Sequence, residues 1–122
     1  MIFPENCLRG VRKKEWITDD YRVSPLAFEA DSRTKNERED GLMETSISWE
    51  DSTDVLLFCF ENIEDVFIHG AVRLATKHID YIKKHSDCGR FSYERRRRPD
   101  NEYHGNILFD PNLAPSTLSN LN

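Results

Sequence analysis

Met43-Glu44-Thr45-Ser46-Ile47-Ser48-Trp49 is the stretch on which the fold turns. Met43, Thr45, Ile47 and Trp49 alternate with Glu44, Ser46 and Ser48, and a period of two puts the first set on one face of a strand and the second on the other. The expectation is one core face and one face open to water. Such a strand needs hydrogen-bonding neighbours and a layer to bury against, and both must come from the rest of the chain.

Downstream, Ser52 or Thr53 can cap a helix with Asp54 in its first turn, and Val55-Leu56-Leu57-Phe58-Cys59-Phe60 supplies a buried helical turn or two. An apolar run this short is also compatible with a strand. Val66 to Leu74 is β-branched and aromatic, which predicts a strand with Gly70 at a bulge. Thr76 can cap a helix from Lys77 to about Ser86, with Ile79 and Ile82 inward, Lys83, Lys84 and His85 in the C-terminal turn, and Gly89 as its stop. Phe91 to Arg95 alternates again, and a last strand runs from His104 to Phe109 after a turn over Pro99 to Glu102.

Upstream, Cys7 to Arg12 reads as a short first strand. Ser24 to Phe28 is a second extended piece that Pro25 confines to an edge. Short strands interrupted by two short helices, without regular strand-helix alternation, predict an α+β domain with a mostly antiparallel sheet.

With 122 residues, 38% of them apolar, the chain has material for one core, placed here at 1–110. Asp31 to Asp40 holds four acidic and three basic residues and nothing apolar, so 29–41 is expected to be a charged loop. The stretch 111–122, with Pro111, Pro115 and several Ser and Asn, reads as a flexible tail. No apolar run approaches the roughly 18 residues that span a bilayer, and the first seven residues lack a basic region followed by an apolar one, so neither membrane insertion nor secretion is expected. Three cysteines, Cys7, Cys59 and Cys88, are odd in number and widely spaced. That pattern fits a reducing, cytoplasmic setting. Cys59 reads as a small buried hydrophobe. Cys88, near Lys84, His85 and Arg90, is the thiol most open to activation, or to zinc with His78 and His85, although that set lacks a fourth ligand.

Charge is segregated. The total is 17 basic against 22 acidic residues, net -5, yet Gly41 to Val66 carries seven acids and no Lys or Arg, while Phe67 to Arg98 carries nine basic residues against three acids. Arg95-Arg96-Arg97-Arg98, close to Phe91 and Tyr93, has the composition of a single-stranded nucleic-acid site. The plainer reading is that these arginines solvate an edge strand or pair with the acidic middle segment. His104, beside Glu102 and Arg98, is the candidate general acid or base, or else a strand-end residue that bonds a loop carbonyl. His69 reads as a core or interface residue. Glu44, Glu50, Asp51 and Asp54 can be read as a cation cluster or as acids that suit a helix start. The sequence implies no cofactor and no metal.

Leu8-Arg9-Gly10, Arg22 to Phe28, Gly41 to Asp51 and Pro99 to Gly105 together resemble a loose group of small uncharacterised bacterial proteins. In that group an arginine-bearing start, a serine-to-phenylalanine segment, a GLS-type strand and a closing P-x-N-P-x-H turn recur over about 100 residues. Glu102 stands here at the second proline of that turn, and His104 is kept. The resemblance implies an accessory protein of a defence or mobile-element locus and carries over no catalytic residue. The expected function is a non-enzymatic regulator docking on a larger protein partner. The alternative is a nucleic-acid- or nucleotide-binding domain or enzyme whose site joins Arg9, Arg22, Ser24, Glu102 and His104 with Arg95 to Arg98, a layout similar to that of ADP-ribosyltransferase-like folds.

Overall fold

The computed structural model describes residues 2–20, 22–24, 38–64, 67–85 and 90–110. The strands are β1 (Asn6–Gly10), β2 (Met43–Trp49), β3 (Ala71–Ala75), β4 (Phe91–Arg95) and β5 (His104–Phe109), and the helices are α1 (Asp54–Glu61) and α2 (Thr76–His85). The strands form one sheet in the order β3-β1-β2-β5-β4, with every neighbouring pair antiparallel. This is the α+β architecture that the strand and helix signals predict. No helix among the described residues is long and apolar enough to cross a membrane.

β2 lies at the centre of the sheet, with β1 on one side and β5 on the other. It pairs with β5 from Met43↔Phe109 through Ser48↔His104, but with β1 only at Cys7↔Trp49 and Leu8↔Ser48. Beyond those two pairs β1 continues along β3, and β2 continues along β5. The sheet therefore splays between β1 and β2. Arg9 bridges the opening, with Nη1 donating to the Ser46 carbonyl at 2.9 Å.

The registers gather Cys7, Ile47, Trp49, Leu74, Phe91, Ile107 and Phe109 on one face, where they form the core with Ile79 of α2. Tyr93 fastens α2 to β4 by donating its hydroxyl to Asp80 at 2.7 Å. Thr76 does not cap the helix through its side chain as expected. Its hydroxyl donates to the Pro4 carbonyl at 2.6 Å and its N–H to the Glu5 carbonyl at 2.8 Å, which anchors the start of the chain. That anchoring seats Phe3 against Trp49 and Tyr93, with ring centroids 4.9 and 4.8 Å away.

Trp49 is fully buried, and its indole crosses β5 to donate to the Glu94 carbonyl on β4 at 3.1 Å. It passes over Gly105. A Cβ there would sit 2.2 Å from the indole nitrogen and 2.4 Å from the Glu94 carbonyl oxygen. Neither the ring nor the backbone can yield cheaply.

Several local expectations are corrected. The second face of β2 is not wet: Glu44 and Ser48 are buried, as is every residue of β5, because α1, the loop after β4 and Arg38 cover that side. The run after Thr53 is helical, but only Val55 in it is buried. Ser52 rather than Thr53 supplies the side-chain contact at its start, its hydroxyl accepting the Asp54 N–H at 3.2 Å. The expected strand from Val66 begins only at Ala71. Phe67 to His69 form a turn closed by the Gly70 N–H on the Phe67 carbonyl. Gly70 has φ +101° and stands with His69 opposite Val11, whose carbonyl takes the His69 N–H while its N–H donates to the Gly70 carbonyl. Val23, the residue before the second extended piece, bridges Ile17. Residues 25–28, most of the 29–41 loop, Cys88 and the 111–122 tail lie outside the described residues.

Gly105→Ala is expected to destabilise the protein by about 1–3 kcal/mol or more through overpacking, read as a lowered melting temperature. A second prediction concerns alkaline pH. Burial, with a smaller contribution from Glu50, pushes the Cys7 thiol up to about 12, and burial with the Asp80 contact pushes the Tyr93 phenol up to about 12. In the unfolded chain these groups lose their protons near their ordinary values of 9 and 10, so between pH 9 and 12 the unfolded state binds fewer protons than the native state. Stability should fall across that window. The slope should flatten in Cys7→Ala and in Tyr93→Phe, as chemical denaturation at stepped pH would show.

Candidate functional site

The covered polar face holds a cavity of about 200 Å³ beside the splay of β1 and β2. Leu8, Ser46, Ser48 and His104 line it from the sheet, and Phe58, Asn62 and Phe67 from α1 and the segment after it. Arg9 reaches it from the sheet opening, and Arg12, Arg98, Asp100 and Asn101 complete its walls.

The loop side is held by hydrogen bonds. Arg98 and Asn101 exchange backbone bonds at 3.0 and 3.1 Å around Pro99 and Asp100. The Asn101 amide donates to Ser48 Oγ at 3.1 Å, and its Oδ1 accepts the Tyr103 N–H at 2.9 Å. His104 is buried, and its Nδ1 lies 2.8 Å from the Arg96 carbonyl. A carbonyl only accepts, so Nδ1 carries the proton, and in the neutral ring Nε2 is the acceptor. On the opposite wall Phe58 stands between Phe67 and Tyr103, with ring centroids 6.0 and 5.6 Å away.

An ionic cluster covers the rest of this face. Arg38 joins Glu44 at 2.7 Å, Glu94 at 2.6 Å and Asp40 at 2.8 Å, and Arg96 approaches Glu44 at 3.7 Å. The Arg38 guanidinium, with the Leu42 N–H, holds the Asp40 carboxyl down at about 2, while the carboxylates, Asp40 foremost, push the Arg38 pKa up. In the registers, Ser46 and Glu94 flank Asn106, which is fully buried. Among the described residues neither polar atom of its amide has a hydrogen-bond partner. Leaving an amide buried and unpaired costs about 1–3 kcal/mol.

Of the sequence candidates, the fold brings Arg9 and His104 to one cavity. Arg22 sits in an exposed turn with Asp20 at 3.2 Å, and neither it, Ser24 nor Glu102 lines the cavity. Arg95 to Arg98 do not make one patch. Arg95 grips Asp51 with two bonds of 2.8 and 2.6 Å, Arg96 faces Glu44, Arg97 is exposed and Arg98 lines the cavity. The carboxylates of the middle segment are likewise divided among cations: Glu50 pairs with Arg73 at 2.6 Å, Asp51 with Arg95 and Glu44 with Arg38. Among the described residues no group of three or more His, Cys, Asp or Glu is placed to hold a metal ion. Burial raises the pKa of Cys7 and of Cys59, so neither thiol is activated. Sequence reasoning missed Arg12, Phe58 and Phe67 as cavity residues, because only the tertiary placement of the end of β1 and of α1 with the segment after it brings them to Ser46 and His104.

Comparison with protein-family models, with curated proteins and with solved structures returns no match.

Because the Asn106 amide has no partner among the described residues, Asn106→Leu, which keeps the branched outline of four side-chain heavy atoms, is expected to keep the fold and raise its stability by about 1 kcal/mol. A lower melting temperature would show that the amide is satisfied in solution.

Proposed function

We propose that the protein is a docking module, a binding protein rather than an enzyme, that attaches to a larger protein through the outer face of α1. The observation that carries this reading is an apolar stripe facing solvent: Leu56 is 45% exposed, Leu57 59%, Phe60 72% and Ile63 50%. Leu56 and Phe60 stand one turn apart on α1 at i, i+4, and Ile63 extends the stripe just past the end of the helix. Single exposed apolar residues are ordinary, but a row of them on one helix marks an interaction surface. The stripe continues into an apolar groove of about 160 Å³ lined by Cys59, Phe60, Ile63, Phe67, Gly70 and Ala71.

Charge around the stripe selects the occupant. Asp54, Glu61 and Glu64 are exposed, and none is in an ion pair among the described residues. A second copy would bring the same acids face to face. The complementary partner is an apolar helix or strand segment flanked by Lys or Arg, which the acidic rim steers into register.

The test is affinity capture from the native host, followed by cross-linking to locate the contact. Leu57→Asp and Phe60→Asp, both at exposed positions, should each weaken the complex by about 2 kcal/mol or more while the melting temperature holds. Undiminished capture by both variants, or cross-links that avoid α1, would overturn the reading. So would sedimentation showing a homodimer that the same substitutions dissociate.

A further inference from the structure

We infer that the cavity between the sheet and α1 is a binding site for a small phosphate monoester. It does not rest on the docking surface, which lies along the exposed side of α1 and meets the cavity only at Phe67. The first support is electrostatic. The chain carries net -5, yet the charged residues lining this cavity are Arg9, Arg12, Arg98 and Asp100, three cations against one anion. Like charges converging in a concave, partly buried site create a local field opposite in sign to that of the whole molecule, and a surplus of two positive charges matches a dianion. Arg12 and Arg98 are exposed and take part in no ion pair among the described residues, whereas Arg38, Arg73, Arg90 and Arg95 all do. Planar guanidinium forks are the side chains best shaped to hold phosphate oxygens with paired bonds.

The second support is preorganisation. Arg98 belongs to the turn that Asn101 closes through backbone bonds and fastens to Ser48, so its backbone is fixed before any ligand arrives. Arg9 is buried, with one Nη held by the Ser46 carbonyl and its guanidinium carbon 5.5 Å from the centre of the Trp16 ring. Fixing a cation in advance removes part of the ordering cost of binding. The third support is the mixed lining. The hydroxyls of Ser46 and Ser48 suit phosphate oxygens, and Phe58 and Phe67 offer an apolar wall to the carbon part of an ester. A volume of about 200 Å³ lies below the usual range of roughly 300–1,000 Å³ for drug-sized ligands, so a compact monoester fits better than a dinucleotide or a polymer strand.

Isothermal titration of the full chain with glycerol 3-phosphate, inorganic phosphate, adenosine monophosphate and succinate tests the assignment. Glycerol 3-phosphate or adenosine monophosphate should bind with a Kd below about 1 mM, at least tenfold tighter than succinate. Arg98→Ala and Arg12→Ala, both at exposed positions, should each weaken that binding by tenfold or more without shifting the melting temperature. Arg97→Ala, a neighbouring arginine outside the cavity, should leave it unchanged. Equal losses in all three variants would reduce the effect to general surface charge and overturn the site. Preference for succinate would overturn the phosphate assignment, and no binding of any of the four probes would overturn the inference entirely.

Discussion

The fold depends on one indole. Trp49 ends the central strand, and its ring spans β5 to reach the Glu94 carbonyl on the edge strand, so one side chain links three consecutive strands of the sheet. That reach requires a missing side chain at Gly105, and the anchored N-terminal segment brings Phe3 over the remaining face of the ring. With Tyr93 as the third ring, 5.4 Å from Trp49, the cluster is the meeting point of β2, β4, β5 and the start of the chain. Burial of aromatic rings contributes more per residue than any other packing available to a chain this polar. The indole N–H is also satisfied there, so nothing is lost by burying it.

A firm β2–β5–β4 half and a separate β1–β3 half follow from that arrangement, with only two residue pairs between β1 and β2 to join them. The opening between the halves is where a polar cavity is tolerated. Arg9 closes part of it with a side-chain bond in place of a backbone ladder, and a loop turn fastened to Ser48 closes another part. The polar face of β2 is thus neither a solvated surface nor a second core. It is a covered layer of ions, hydroxyls and amides, and the Arg38 cluster and the unsatisfied Asn106 are the energetic consequences of covering polar residues.

The period-two pattern of Met43 to Trp49 was legible because side chains facing a core leave alternation in the sequence, and the same signal located β4, while β5 was placed by its position after the Pro99 turn. The antiparallel class followed from short strands without regular crossovers. The burial of Glu44 and Ser48 was not legible: alternation reports that one face is polar, and only tertiary placement reports whether something lies on it. The run Val55 to Phe60 misled in the opposite direction, since its apolar content predicts burial and the helix leaves most of it in solvent. Of the candidate site, Arg9, His104 and Arg98, as part of the arginine run, could be singled out as chemistry-bearing residues, but Arg12 and the aromatic wall could not. Arg12, Phe58 and Arg98 come from three distant segments, and the arginine run, which looked like one feature in sequence, is dispersed because β4 ends at Arg95: Arg95 pairs with Asp51, Arg96 approaches Glu44, Arg97 is exposed, and Arg98 turns with the following loop to the cavity.

α1 then occupies a particular position in the energetics. An eight-residue helix has too few internal hydrogen bonds to stand alone in water, and only Val55 within it is buried. Its order rests on that residue, on Phe58 wedged between Phe67 and Tyr103, and on Asn62, whose side-chain amide donates to the Phe58 carbonyl at 2.9 Å. Phe58 and Asn62 also line the cavity, while Leu57 and Phe60 face outward. If the two surfaces are occupied as proposed, whatever settles the inner side against the sheet lowers the cost of ordering the outer side, and an occupant of the outer side does the same for the cavity wall. Linkage makes the two effects equal in free energy. A weakly packed helix is a liability for stability alone, but one helix shared by two surfaces is the shortest physical route by which either could sense the other.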